Sequence, residues 1–274
     1  MAQQRVKPMQ HDPQTWHYGL VARWWAEFNV AQDSEVAFYQ RLIGAAGGRA
    51  LDLACGAGRL LLPLLRAGVQ VDGCDISSDM IALCRERVER ERLTAELIVQ
   101  PMHALELARR YQTIYICDSF GIGGSRAQDR AALVRIRQHL EPGGEFLLTH
   151  TLPYSNPKGW GLWFADRRGR LPQDWPEWND RRVAANGDEM GLISRVEAFD
   201  PLSQCLTLQM RAGLWRDGQL ILTEEYRLVE ILYFRNELLN LLELAGFTSI
   251  EVCTGDTETA ATAADTRLTF IAQA

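Results

Sequence analysis

The stretch "ALDLACGAGRLL", residues 50–61, joins an apolar, strand-like run to an amphipathic one through Cys55-Gly56-Ala57-Gly58. Two glycines at a strand-to-helix handover let the backbone approach a ligand without a Cβ in the way, beside the free N–H groups and positive dipole end of a helix start. Outward from this turn the chain alternates. Strand-like runs stand at RALDLAC (49–55), VQVDGCDI (69–76), AELIVQ (95–100), TIYICD (113–118) and EFLLTH (145–150). Helical spacing lies between several of them: Leu60, Leu61, Leu64 and Leu65 make one face, and Met80, Ile81, Cys84 and Val88 another, opened by Ser77 or Ser78 as a cap. Leu133, Ile136, Arg137 and Leu140 suggest a third, stopped by Glu141-Pro142-Gly143-Gly144. Such alternation predicts an α/β fold, a doubly wound and mostly parallel sheet. The alternation breaks after the fifth strand. Residues 151–190 are rich in Trp, Pro, Arg and Gly without a period, and LISRVEAF (192–199), CLTLQMRAGLW (205–215) and QLILTEEYRLVEI (219–231) then read as an antiparallel insertion turned by "DPLSQ" and "RDGQ". A helix from Asn236 to Ala245 and two strands, 248–254 and 267–274, close the chain.

The acids near the turn choose among ligands. A pyrophosphate prefers G-x-G-x-x-G/A, and Leu61 occupies the third small position here. Asp52 points into the loop from the first strand, and Asp75 ends the second, where a carboxylate accepts from both hydroxyls of a ribose. A ribose site beside a short glycine loop suits adenosine carrying an amino-acid tail. Together these residues resemble the class I S-adenosylmethionine-dependent methyltransferases of small-molecule type, over residues 45–150 with a weaker echo in "LLELAGFTSIEV" (241–252).

That resemblance implies a Rossmann-like methyltransferase fold with S-adenosyl-L-methionine as cofactor. Asp52, Ala54, Cys55, Gly56 and Gly58 then lie around its methionine end, Asp75 at the ribose, and Ile76 and Met80 near the adenine. Cys117, Asp118 and Phe120 face the methionine moiety and the reacting centre. Ala54 stands where a glycine is commoner. The family often has Gly-Asp after the third strand, the Asp holding the adenine amino group; this chain has Gln100-Pro101-Met102-His103. Met102 packs on the purine, and Gln100 or His103 supplies the hydrogen bond.

The same reading divides the chain into an N-terminal helical lid (1–44), a cofactor-binding core (45–150), a Trp/Arg-rich loop and antiparallel insertion on the substrate side or at a dimer interface (151–232), and a closing helix with the last two strands (233–274). Tyr18, Trp24 and Trp25 are lid candidates, and Trp160 and Trp163 substrate-side aromatics. Methyl transfer from a sulfonium is an in-line displacement in which alignment supplies much of the rate. The bases available at strand ends are His150 first, then Asp118 and His103.

Composition bounds the alternatives. Hydrophobic residues at 47% and charged residues at 23% are ordinary for a globular chain, and a net charge of -6 argues against a nucleic-acid partner. The amino terminus shows no apolar export signal and no stretch is long enough to span a membrane, so a cytoplasmic protein is expected. The six cysteines lack C-x-x-C or clustered His/Cys spacing and read as reduced, with no metal site. A nucleic-acid methyltransferase often carries Asn/Asp-Pro-Pro-Tyr/Phe where this chain has Asp118-Ser119-Phe120-Gly121. Leu61 disfavours a nicotinamide oxidoreductase. A protein that binds S-adenosylmethionine without catalysis stays open, as do a homodimer and the acceptor's identity, an N- or O-nucleophile on a small molecule.

Overall fold

A strand buried along its whole length must be covered on both faces, and the first two strands are of this kind. The computed structural model describes Thr15 and residues 17–274; the first fourteen residues and Trp16 of the expected lid lie outside the described residues. The chain begins with α1 (Gly19–Phe28), α2 (Asp33–Ala46), β1 (Ala50–Leu53), α3 (Leu61–Arg66), β2 (Val71–Asp75), α4 (Ser78–Arg90) and β3 (Leu97–Val99). It continues through β4 (Tyr111–Cys117), α5 (Arg126–Gln138), β5 (Leu140–Thr151) and two one-turn helices, α6 (Pro157–Trp160) and α7 (Ala165–Arg168). The meander β6 (Arg181–Val183), β7 (Glu189–Asp200), β8 (Cys205–Arg216) and β9 (Gln219–Ile231) precedes α8 (Arg235–Leu244), β10 (Thr248–Thr254) and β11 (Arg267–Gln273).

Seven strands form one sheet in the order β10-β11-β5-β4-β1-β2-β3, parallel from β5 to β3, with β11 antiparallel to both its neighbours. Its two faces carry separate cores. On one, α5 and α8 bring Leu133, Ile136, Leu238 and Leu242 against Ile114, Ile116, Phe146 and Leu148. On the other, α2, α3 and α4 bring Phe38, Tyr39, Leu61, Leu64, Ile81 and Cys84 against Ala50, Val71, Tyr115 and Leu147. The alternation of Ile114, Tyr115 and Ile116 between the cores is the period of a strand. The doubly wound reading of the sequence is the fold.

Three details differ from expectation. Residues 56–60 form turns before α3, so Gly56 and Gly58 stand five and three residues ahead of the helix. The insertion has four strands in the order β6-β7-β8-β9. Helix α1 belongs to it as much as to the core, because Leu20 and Val21 pack on Met190, Met210 and Leu214 while Ala22 and Ala26 pack on Ala57 and Met80. Two orphan N–H groups of its first turn are taken from both sides: Gly19 N–H donates to Asp79 of α4 (2.8 Å) and Leu20 N–H to Glu224 of β9 (2.7 Å). The helix is thereby clamped between α4 and the four-stranded sheet. Among the described residues, no helix is long and apolar enough to cross a membrane, and the six cysteines are unpaired.

Candidate active site

The sheet order reverses between β1 and β4, and ligands of open α/β sheets bind in the crevice at the carboxyl ends of such strands. Here that crevice has two lobes, of about 670 and 550 Å³, which share Ala54, Asp75, Ile76, Met102, Ile122 and Gly123. The larger is lined by Tyr18, Val99, Pro101, His103 and Gln128, and the smaller by Glu35, Asp52, Gly56, Arg59, Cys117, Asp118, Asp256 and Arg267. Asp75 stands at the waist between them, and the smaller lobe gathers most of the charged side chains.

The glycine loop uses its own donors. Ala54 and Cys55 N–H both donate to the Cys74 carbonyl (2.7 and 3.1 Å), Gly58 N–H donates to the Cys55 carbonyl (3.0 Å), and Gly56 N–H donates to Asp75 Oδ2 (2.9 Å). Asp75 Oδ1 accepts from Ser77 N–H (2.8 Å), and burial pushes the Asp75 carboxyl up against these bonds. These four donors are taken, and two acids, Asp52 and Asp75, stand beside the turn, which disfavours a phosphate there. A Cβ on Gly56 would meet nothing nearer than Met80 Sδ at 4.0 Å, which leaves the loop open to the crevice. Gly58 does not line it: a Cβ there would stand 2.9 Å from Cys84 Sγ and 3.0 Å from Leu62, so this glycine serves close packing of the turn on α4.

The charged lobe is held by paired residues from four distant segments. Arg59 binds Glu35 of α2 through both guanidinium nitrogens (2.5 and 2.8 Å), and Cys117 Sγ donates to the same carboxylate (3.2 Å). Burial raises Glu35, but the Arg59 bonds and charge outweigh it and hold the carboxyl below the usual range. Arg267 of β11 reaches Asp118 (2.9 Å) and Asp256 (2.5 Å). Asp52, 4% exposed, is pushed by burial up to about 7. His17 and Thr15 also line this lobe, joined at 2.7 Å, and burial lowers the imidazole to about 4, so it is neutral at pH 7. Glu35, Arg59, Arg267, Asp256 and His17 were not singled out from the sequence; only Arg59, next to the glycine loop, had a positional signal.

Several expected residues stand elsewhere. His150 is buried on the face of β5 that carries Phe146 and Leu148, its Nε2 3.2 Å from the Tyr233 carbonyl, and it lines neither lobe. Burial also lowers its pKa. Phe120 is 1% exposed in the core, packed on Tyr233. Trp160 and Trp163 stack with each other and with Phe234, and Trp163 with Phe199, away from both lobes. Trp24 packs on Trp25 and Phe28 beside the second sheet, whereas Trp25 and Tyr18 line the crevice. Gln100 lines the larger lobe, but its side chain is spent on Glu106, accepting from its N–H (2.9 Å) and donating to its carbonyl (3.2 Å). The remaining candidates, Asp52, Ala54, Cys55, Gly56, Asp75, Ile76, Met80, Met102, His103, Cys117 and Asp118, do come together around the crevice.

Two buried polar atoms in the charged lobe's residues lack a partner, the Trp25 indole N–H and Asp256 Oδ1. A donor and an acceptor left open suit a tail that carries both kinds of group, as the amino-acid end of S-adenosylmethionine does. With Ile76, Val99 and Met102 in the larger lobe for a base and Asp75 at the waist for a ribose, the residues present fit this cofactor.

Comparison with known proteins agrees with this geometry. Residues 50–144 match the family described as a methyltransferase domain. A protein of Geobacillus sp. (strain WCH70) with a provisional methyltransferase name is 32% identical over 100 residues, 36% of this chain and 40% of its own length. The match thus spans well under half of that curated relative. An S-adenosylmethionine-dependent methyltransferase from Clostridium acetobutylicum ATCC 824 superposes with a TM-score of 0.70 at 18% identity, covering 89% of this chain and 92% of its own. The sugar N-methyltransferase KedS8 from Streptoalloteichus sp ATCC 53650 has a TM-score of 0.70 at 17% identity, covering 100% and 98%. At such identities the likeness is one of fold.

Proposed function

With a methyltransferase domain over residues 50–144 as the premise, we propose that this chain binds S-adenosylmethionine and methylates a nitrogen on a small molecule. The observation that carries the reading is Asp75 at the waist between the two lobes, its carboxylate fixed by Gly56 N–H and Ser77 N–H. When bound, the cofactor supplies a methyl group already activated on a sulfonium.

The chain's own residues do the rest. Asp75 holds the ribose hydroxyls, and Ile76, Val99 and Met102 pack on the base. Asp256 and the Trp25 indole N–H take the polar tail. Helix α1, clamped between α4 and the second sheet, carries Trp25, with Tyr18 just ahead of it, over the crevice and keeps water from the reacting atoms. The wall of the charged lobe sets Glu35, Asp118 and Asp256 against Arg59, Arg87 and Arg267, and Asp52 and Asp75 tip the balance toward acid. Such a wall favours a cationic or readily protonated acceptor over an acid. An amine attacks from its neutral form, so positioning suffices at the transfer step and the proton is lost afterwards to the acidic wall or to water. The fold's likeness to KedS8, a sugar N-methyltransferase, supports nitrogen over oxygen.

The test is turnover by the purified chain with S-adenosylmethionine on matched panels of amines, phenols and alcohols, read as S-adenosylhomocysteine formed and as a mass gain of one methylene on the acceptor. Methylation of amines alone supports the reading. Methylation of phenols alone overturns the choice of nitrogen, and tight binding of S-adenosylhomocysteine with no turnover on any panel favours a protein that binds without catalysis.

A further inference from the structure

The loop after β4 meets the last strand of the insertion, and a carboxylate without a partner stands where they join. Gly123 N–H donates to the Val229 carbonyl (2.7 Å) and Ile231 N–H to the Gly121 carbonyl (2.8 Å). Ile122 and Glu230 are thus opposed as an antiparallel pair that exchanges no hydrogen bond of its own. In such a pair the two side chains leave on the same side of the sheet and stand closest together. Ile122 lines both lobes of the crevice, so Glu230 stands beside the site although it belongs to the second sheet. Alternation along β9 sets Tyr226 and Leu228 on the same face. A Cβ on Gly19 would collide with the Tyr226 hydroxyl, so this face runs from Ile122 to the start of α1, next to Tyr18.

Among the described residues no hydrogen bond or ion pair engages the half-buried Glu230 side chain, whose cross-strand neighbour in β8 is Leu206. Burial pushes its carboxyl up to about 7. The other acid of this face, Glu224, is spent on Leu20 N–H and the Tyr226 hydroxyl. In the charged lobe Glu35, Asp118 and Asp256 are paired with Arg59 or Arg267, and Asp75 accepts from two backbone N–H groups. A carboxylate withdrawn from water without a partner costs stability, and a protein keeps such a cost where a ligand supplies the missing charge. Set among Ile122, Leu206 and Leu228, this one suits a cation carried on a neutral body, since an ammonium brings both charge and donors. We propose that Glu230 holds a positively charged group of the methyl acceptor, and that the acceptors of this chain are aliphatic amines, which carry that charge at neutral pH, rather than anilines or amides, which do not. The inference rests on the nitrogen reading of the site and names the substrate class within it.

The test is steady-state methylation of cyclohexylamine, benzylamine and glucosamine by the intact chain, with aniline as the uncharged amine. Glu230→Gln removes the charge at nearly unchanged size. It should raise KM for the aliphatic amine that turns over by about 30-fold or more, and change kcat by less than about 3-fold. The dissociation constant of S-adenosylhomocysteine should stay within about 2-fold. Glu230→Asp, which keeps the charge on a shorter arm, should recover part of the loss in KM. Thermal unfolding separates binding from structure: relieved of an unpaired carboxylate, Glu230→Gln should melt at or above the wild-type midpoint. Three results overturn the inference: an unchanged KM, a loss in KM that travels with weaker S-adenosylhomocysteine binding and a lower midpoint, or methylation of aniline in preference to the aliphatic amines. Turnover of no amine at all is a different failure, which removes the nitrogen reading on which the inference stands.

Discussion

Exchanging the two glycines of the loop one at a time separates ligand approach from packing. Both have φ in the left-handed region, +55° at Gly56 and +87° at Gly58, where an alanine costs about 1–2 kcal/mol, partly offset by about 0.4–1 kcal/mol from a stiffer unfolded chain. Around Gly56 there is open space, so Gly56→Ala should lose only about 1 kcal/mol, or roughly 2–4 °C in the unfolding midpoint. Around Gly58 the new methyl meets Cys84 Sγ at 2.9 Å and Leu62 at 3.0 Å, both buried. Overpacking of that kind adds about 1–3 kcal/mol, so Gly58→Ala should fall by about 2–4 kcal/mol and roughly 5–15 °C. The ligand response should run the other way. At ~100 times its dissociation constant, S-adenosylhomocysteine stabilises the native chain by ~2.7 kcal/mol, several degrees in the midpoint. Gly58→Ala should keep that increment from its lower baseline. Gly56→Ala should lose most of it, because the methyl stands in the space the ligand needs. Thermal unfolding with and without ligand reads all four values. A Gly58→Ala chain that melts like wild type, or one that loses the ligand increment while Gly56→Ala keeps it, refutes the assignment.

Other perturbations bear on the charged lobe and on the aromatics placed outside it. Glu35→Gln leaves Arg59 without its counter-charge and should cost about 2–3 kcal/mol near pH 7. Because the native carboxyl is held low, its contribution is present above the usual carboxylate range and lost as pH falls through the native value, so the variant's unfolding should show a shallower acid limb. Asp52 has the opposite sign. Its native pKa of about 7 exceeds the ordinary 3.8, so the native state holds the proton longer and this group's contribution declines as pH rises from about 4 to about 7. A ligand that brings an ammonium to this wall favours the carboxylate, and binding of S-adenosylhomocysteine at pH 6 should release a proton. Equal calorimetric heats in buffers of different ionisation enthalpy would show that it does not. Trp175 lies over Arg195 and Arg211, with ring-to-guanidinium distances of 4.6 and 4.0 Å. Trp175→Ala should therefore lower stability by about 1–3 kcal/mol and leave the affinity for S-adenosylhomocysteine unchanged. His150→Gln should leave that affinity unchanged as well; a tenfold loss would put the imidazole back at the crevice.

What the sequence made legible follows from where a residue's role is local. Asp75, Gly56, Ile76 and Met102 each sit at the carboxyl end of an apolar run, where ligands of a parallel sheet bind; the run pointed to Gly56 and Asp75, and the family resemblance added Ile76 and Met102. His150 and Phe120 also stand near strand ends, yet they point elsewhere. In β5 the alternation already decides this, since His150 shares its face with Phe146 and Leu148 and so faces the core beneath Tyr233. The tryptophans of 159–182 were legible as aromatic and arginine-rich but not as placed, because their partners Phe199, Trp215, Arg195 and Arg211 belong to strands of the insertion. Glu35, Arg59, Asp256 and Arg267 were hidden for a related reason. Each is an ordinary charged residue in its own segment, and only the return of β11 beside β5 brings Arg267 within reach of Asp118 and Glu35.

Why the crevice opens where it does can be traced to two residues that are not glycine. Ala54 and Asp118 are the first residues beyond β1 and β4, the pair at which the sheet order reverses, and both take positive φ, +66° and +52°. An alanine or aspartate is held there at a cost of about 1–2 kcal/mol, which must be offset by whatever fixes the backbone. In each case that is a hydrogen bond to the strand on the outer side. Ala54 N–H donates to the Cys74 carbonyl of β2 at 2.7 Å, and Asp118 N–H donates to the Thr149 carbonyl of β5 at 2.9 Å. The two chains are thus drawn apart at the moment they leave neighbouring strands, one toward β2 and the other toward β5. Asp52, Cys117 and the open side of Gly56 are left facing the gap between them. The glycine loop therefore supplies the floor of the site, and the gap itself comes from strain at Ala54 and Asp118 that the outer strands hold in place.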